Sequence, residues 1–537
     1  MKQFPRNLWL FAILVAIVTT IPYLVGIFFA PDGWVYHGSL PIPGGFTVDY
    51  NSHMAKMWQG ARGDWDYRLL FTHEDHIGLN GVQGFYVALG AISSLFSLSF
   101  PVVYHLARII LIIALVFALW RFAARFFTSS RECWIVLLLG TVAAGWSWVL
   151  LIFPSLTAEV SPIEFWLFDA FTILAMIYMP HFVAAILLQI VAFLALDAWL
   201  SRGGGWRALT IMTFALQLDA FIQPYAAPVL VMLVILLGAY HTFSAKTLHW
   251  RRAIKLALPL FGYGVVVLAQ YVAMQADPIW ADFVSQNITA SPNILFYIFG
   301  YAPFIIPILF GARHFLLGEK QDDIWWLPLF WLFLVAALLY APLPTQRRYL
   351  LGVQTPLAVL AAYGWAKVLL PRFSERYQAV VFSIYILFAA LAPLALILFN
   401  TVQLSEDAKP LQVYSSPDEV AAYMWVQQNT EPYALFLTTF DWSGSGSGGK
   451  LVAMTGRRAF LGHWIETARF DDKIAQAQRF YNAATSDEWR QNFLEEIGAD
   501  YLWYSDFERA WGEWNPADAD YLTPVFTKGT VTIYAVP

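Results

Sequence analysis

The sequence predicts a polytopic α-helical membrane protein of about eleven spans, N-terminus in the cytoplasm, with a small extracytoplasmic α/β domain at its C-terminal end. Two observations predict it. Apolar residues fill 59% of the 537 positions and charged residues only 13%, against a usual ~45–50% and ~25%. The shortage of charge is also uneven: residues 1–400 hold 40 Lys, Arg, Asp and Glu, whereas the 137 residues from 401 onward hold 29. The chain therefore reads as a transmembrane domain over 1–400 and a soluble domain over 401–537. A cytosolic enzyme and a disordered chain are excluded, and a net charge of −5 excludes a basic nucleic-acid binder. The single Cys133 excludes a disulfide framework and a CxxC zinc site, and it reads as packing.

A spanning helix needs about 20 mostly apolar residues. Leu8 to Ala30 is the first, preceded by Lys2 and Arg6. Its length, with no small-residue cleavage site after it, marks a retained helix with a cytoplasmic N-terminus. An outer loop over 31–101 follows, carrying interfacial helices. Gly84–Phe100 is short for a span. Laid in the interface, it lets the next span, Val102–Phe127, carry Arg121, Arg125 and Arg131 to the cytoplasm, where Lys and Arg are in excess. Later spans fall at roughly 133–153, 171–200, 206–222, 225–243, 254–274, 294–314, 324–341, 349–370 and 377–400. This topology puts 16 Lys and Arg inside, Lys2, Arg202, Lys246 and Lys320 among them, and 6 outside apart from the tail.

In the tail, Ser416-Pro-Asp-Glu starts a helix that runs to about Asn429, with Ser as cap and Pro in the first turn. Tyr433–Phe440 and Lys450–Phe460 read as strands joined by a flexible loop, Ser443–Gly449. No GK[ST] follows that loop, and its place between two strands argues against a phosphate cradle. Asp471–Asn482 and Asp487–Ile497 read as helices, Tyr501–Tyr504 and Thr530–Val536 as closing strands.

Where charge is scarce, each charge is informative. Nine of the 18 acids before position 401 lie in the first two outer loops. Val48–Trp65 (VDYNSHMAKMWQGARGDW) reads as an amphipathic helix on which Asp49 and His53, four residues apart, share a face. A carboxylate there can act as a general base or a metal ligand, a helix cap being the plain alternative. His73-Glu74-Asp75-His76 is not HExxH, so it is no zinc-protease site; it suits a divalent cation or a phosphate, or a solvated loop. Glu164 and Asp169 mark the second outer loop. His181 and Asp219 sit at matching depths in two spans, where ionisable groups face a cavity or a partner. Arg347-Arg348 breaks the positive-inside pattern. Such a pair suits a phosphate, or it snorkels to lipid headgroups.

These features, in this order, resemble the polytopic glycosyltransferases of the GT-C superfamily, such as protein O-mannosyltransferases and aminoarabinose transferases. The matching pieces are the first span, DYNSHMAKMWQGARGDW with Asp49, the interfacial GVQGFYVALGAISSLFSLS, and a second span ending in LWRFAARFF. PTQRRYLLGVQTPLAVLAAYG resembles the family's late outer loop, and TGRRAFLGHW the tails of bacterial relatives. The chain departs from the family pattern at Tyr50, where a paired acid would follow Asp49, and it has no WWDYG-like stretch.

The resemblance implies a polyprenyl-phosphate sugar donor in the bilayer and inverting transfer to a lipid, protein or glycan acceptor on the outer face. Asp49 then matches the first-loop acid, Glu164 or Asp169 the second-loop acid, and Arg347 or Arg348 the phosphate contact. A divalent cation, Mg or Mn, stays open. So do a non-catalytic scaffold and a lipid-linked sugar transporter, although a transporter favours internal repeats and mid-membrane charges.

Overall fold

The structure, a computed structural model, describes residues 4–43, 45–200, 205–244, 250–318 and 322–537. Lys2, Arg202, Lys246 and Lys320 lie outside the described residues. The fold is mostly helical. Among the described residues four helices are long and apolar enough to cross a membrane: Phe100–Phe126, Pro180–Leu200, Pro224–Phe243 and Ala257–Ala276. Counting each of three bent helix pairs as one span raises the number to seven. Gly84–Phe96 has 13 residues, about 20 Å of helix, which is too short for a bilayer core of about 30 Å.

Several expected spans are shorter or broken. The stretch 133–153 holds a helix only over Ser130–Thr141, followed by a 3₁₀ turn over Ser147–Ile152. Gly145 lies at this break, where a Cβ would stand 2.6 Å from the Gly300 carbonyl oxygen. The backbones approach so closely there that only glycine fits. Likewise 349–370 opens with a 3₁₀ turn, Gln346–Leu350, before the helix Gln354–Gly364.

Two compact units emerge. The first comprises Met1–Thr20, His105–Ala269 and Ile288–Ile397; the second comprises Ile21–Tyr104, Gln270–Asn287 and Leu398–Pro537. Within the first, buried polar groups are paired. Arg108, fully buried, donates to the hydroxyls of Thr19 and Thr20 and to the carbonyl of Met176. Arg125 grips Asp197 with two hydrogen bonds, of 2.7 and 3.1 Å. Asp197 is thus a structural anchor.

The second unit is built on a five-stranded sheet. Its strand order is Arg458–Ala459, Leu435–Leu437, Tyr501–Tyr504, Val531–Ala535, Thr523–Lys528, parallel across the first three and antiparallel after. The helix Pro417–Asn429 starts at Ser416, which closes a capping box with Glu419. One expectation is corrected. Lys450–Phe460 is not one strand but the helix Ser447–Thr455 followed by the strand Arg458–Ala459. A continuous apolar run fits either state, and Gly456, at φ 65°, supplies the left-handed residue that ends the helix. The Ser443–Gly449 loop therefore does precede a helix. Asp441, just before the loop, accepts from the hydroxyls of Ser443 and Ser445, so a carboxylate already takes these donors.

The first-loop helix is Gly45–Arg62, and it is largely buried instead of lying amphipathic at a surface. Two glycines explain this. A Cβ on Gly60 would meet the Val87 carbonyl at 1.9 Å, and one on Gly90 the Met57 carbonyl at 2.0 Å. The helices Gly45–Arg62 and Gly84–Phe96 consequently pack backbone to backbone.

Candidate functional site

In the second unit, Asp49 lies one turn into the first-loop helix. Val48 and Tyr50 on either side are buried, while the Asp49 side chain is 41% exposed. Its Oδ1 lies 3.7 Å from Nε2 of the buried His463. The other ring nitrogen of His463, Nδ1, accepts the backbone N–H groups of Ile465 and Glu466, both at 3.1 Å. That fixes the tautomer with its proton on Nε2, facing Asp49. His53 does not share this pairing. It is buried and stacked on Tyr86, ring centroids 3.9 Å apart.

Below this pair lies a buried network. Ser52 and Lys56, on the Asp49 face of the helix, both reach Glu466. Its Oε1 accepts from the Ser52 hydroxyl at 2.5 Å and from Lys56 Nζ at 2.7 Å. The Tyr67 hydroxyl donates to Oε2 at 2.6 Å. Burial would raise the Glu466 carboxyl, but Lys56 and the Ser52 hydroxyl outweigh it and hold the group below its usual range. This network keeps the backbone around His463 in register with Asp49.

The His73–His76 cluster is engaged in hydrogen bonds and ion pairs within the second unit. His76 pairs Nδ1 with the Glu74 carbonyl at 2.9 Å, and its Nε2 accepts the Leu69 N–H at 2.9 Å. Glu74 takes Lys473 at 2.6 Å and Arg469 at 2.7 Å. Burial pushes its carboxyl up, yet Lys473, Arg469 and Thr72 pull harder and set it at about 2. His73, stacked on Phe460, is lowered to about 4 by burial and then by Lys473.

In the first unit, Asp169 is buried and Arg348 Nη1 lies 3.5 Å from its Oδ2. Oδ1 has no hydrogen-bond partner among the described residues. Burial pushes this carboxyl up, with Arg348 and Arg347 pulling it back. The Arg347 guanidinium lies over the Trp166 ring at 5.0 Å, and that of Arg348 over Tyr225 at 5.8 Å. Asp219 is buried on the Tyr263 hydroxyl at 3.1 Å, and the half-buried His181 ring leans on Phe182.

Glu164 is fully buried, accepting from the Ser147 hydroxyl and from the Trp148 N–H at 2.5 Å. Burial pushes its carboxyl up. These contacts make it a loop staple. Glu164→Gln is expected to cost about 1–3 kcal/mol of stability, seen as a lower melting temperature, with activity per folded molecule unchanged. A large loss of activity at full stability would contradict the staple.

Beside Asp49, the His463 nitrogen that faces it carries a proton and has no lone pair to give. Among the described residues no group of three or more His, Cys, Asp or Glu could hold a metal.

No protein-family model matches the chain, and no curated sequence does. Solved structures do match. The archaeal oligosaccharyltransferase AglB from Archaeoglobus fulgidus, in complex with an inhibitory peptide and a dolichol-phosphate, superposes with a TM-score of 0.53 at 13% identity, over 98% of this chain and 74% of that one. The apo form of the Archaeoglobus fulgidus oligosaccharyltransferase gives 0.52 at 14% identity, over 100% and 75%. Arabinofuranosyltransferase AftD from Mycobacteria gives 0.50 at 13% identity, over all of this chain but only 40% of that enzyme. These neighbours are GT-C glycosyltransferases. The chain has the fold of that class of helical membrane proteins.

Proposed function

We propose that the chain is a membrane glycosyltransferase. It moves a sugar from a polyprenyl-phosphate-linked donor to an acceptor hydroxyl of a lipid, protein or glycan, with inversion, on the extracytoplasmic face. The proposal includes eleven spans in a cell membrane, the N-terminus inside and the tail outside. The fold shared with GT-C enzymes supports the reaction class, and the dolichol-phosphate held by the archaeal enzyme supports the carrier.

The observation that carries the reading is Asp49: an open carboxylate on a largely buried helix, faced by a histidine of fixed tautomer. In the step, Asp49 takes the acceptor's O–H proton as that oxygen bonds to the anomeric carbon. The anomeric C–O bond to phosphate breaks on the opposite side, and its electron pair leaves with the polyprenyl phosphate. No separate activation is needed, because the phosphate is already a good leaving group. Arg347 and Arg348 are the proposed phosphate contacts, since guanidinium groups offset the charge that develops there.

The test is consumption of polyprenyl-phosphate-linked pentose or hexose by the full chain in liposomes supplied with membrane acceptors. Arg347→Gln is expected to raise the donor KM about tenfold or more, the loss of one charge-assisted hydrogen bond. A folded wild-type protein that consumes no such donor would sink the proposal.

A further inference from the structure

The second unit also holds a cavity of about 630 Å³ that Asp49 does not line. This is a size for a small-molecule ligand. The cavity is walled by the 63–80 segment together with Tyr433 and Arg458. Most of its polar wall is already committed. The Tyr433 hydroxyl donates to Asp64 at 2.5 Å, and the ring carries the Arg62 guanidinium at 5.6 Å. Arg458 is held by the carbonyls of Thr72, His73 and Glu74 and by the Asp75 carboxylate at 3.6 Å. Both nitrogens of His76 are used, as described above.

Three lining groups are left unspent. Trp65 is 51% exposed, with neither an aromatic nor a cationic partner among the described residues. Asp66 and Asn80 are directly opposed in the short antiparallel ladder Asp66–Tyr67 with Leu79–Asn80. Opposed residues of such a pair project on the same side. Both side chains are exposed, and neither has a partner among the described residues. The cavity wall thus carries one exposed indole, one carboxylate and one amide.

That combination matches a sugar ring. Its C–H face packs on indole, while its vicinal hydroxyls donate to a carboxylate and both donate to and accept from an amide. An anion is disfavoured, because Asp64, Asp66, Glu74 and Asp75 line the cavity against Arg68 and Arg458. A cation finds Glu74 already paired with Lys473 and Arg469, and Asp75 facing Arg458.

We infer that this cavity binds an uncharged saccharide, stacked on Trp65 and hydrogen-bonded by Asp66 and Asn80. The inference stands apart from the transfer reaction, since occupancy can be measured without turnover. The full chain in nanodiscs is titrated with neutral trisaccharides of glucose, mannose, galactose and arabinose, read by tryptophan fluorescence and saturation-transfer NMR. At least one is expected to bind saturably. Trp65→Ala weakens it about tenfold or more, Asp66→Asn and Asn80→Ala weaken it severalfold, and Asp49→Asn leaves it unchanged. Melting temperatures confirm that each variant folds. The site is overturned if no trisaccharide binds, or if binding survives the Trp65, Asp66 and Asn80 replacements. Displacement of the sugar by spermidine or inorganic phosphate also overturns it.

Discussion

Asp49→Asn is expected to lower the proposed sugar transfer by about 100- to 10,000-fold, the range spanned by loss of a general base, and to leave the melting temperature close to that of the wild type. The stability half of this expectation follows from exposure. The Asp49 side chain is 41% open, and its contact with His463 is a long 3.7 Å, so little folding energy depends on it. Asn keeps the shape and still offers an oxygen to the His463 Nε2–H, but it cannot take a proton from an acceptor. Initial rates with a polyprenyl-phosphate sugar and equal donor occupancy check the effect. A folded variant that retains rates within about threefold of wild type would remove Asp49 from the chemistry, since a general base typically contributes about 100-fold or more. His463→Leu is the companion: the base remains but its alignment goes, and the rate falls by less.

What could be read from the sequence followed the range of the interactions involved. The helix Pro417–Asn429 was legible because its start signal, Ser416 through Glu419, is four residues long and acts locally. Asp49 stands out in the sequence as a carboxylate on a helix in a charge-poor part of the chain. Its partner does not, because His463 lies more than 400 positions away and only the folded second unit brings the two together. For the same reason His53, one turn from Asp49, was an attractive partner on helical spacing alone. Spacing says which residues share a face but not what is packed against that face, and here it is Tyr86. The burial of the first-loop helix rested on Gly60 and Gly90, whose meaning depends on the backbone each one touches. Broken spans hid in the same way, since an apolar count does not register a collision such as that at Gly145.

Lys56→Met has the largest expected effect on stability, about 3–5 kcal/mol, because it leaves a buried carboxylate without its countercharge. Lys56 and Glu466 are only 2% and 3% exposed, so water does not replace the lost ammonium. The Ser52 and Tyr67 hydroxyls remain, but they are neutral donors and cannot balance the charge. The double replacement Lys56→Met with Glu466→Gln should recover most of the loss, since removing both charges removes the desolvation penalty as well. The pH dependence carries the sign. Glu466 is held below its usual range in the folded chain, so its contribution is present above the unfolded pKa of about 4.3 and fades as pH falls through the folded value. In Lys56→Met the unpaired carboxyl takes up a proton readily. The difference in melting temperature between wild type and variant should therefore narrow between pH 7.5 and pH 4. A gap that stays constant across this range would mean that Lys56 stabilises the unit through packing of its methylene chain, with the charge contributing nothing.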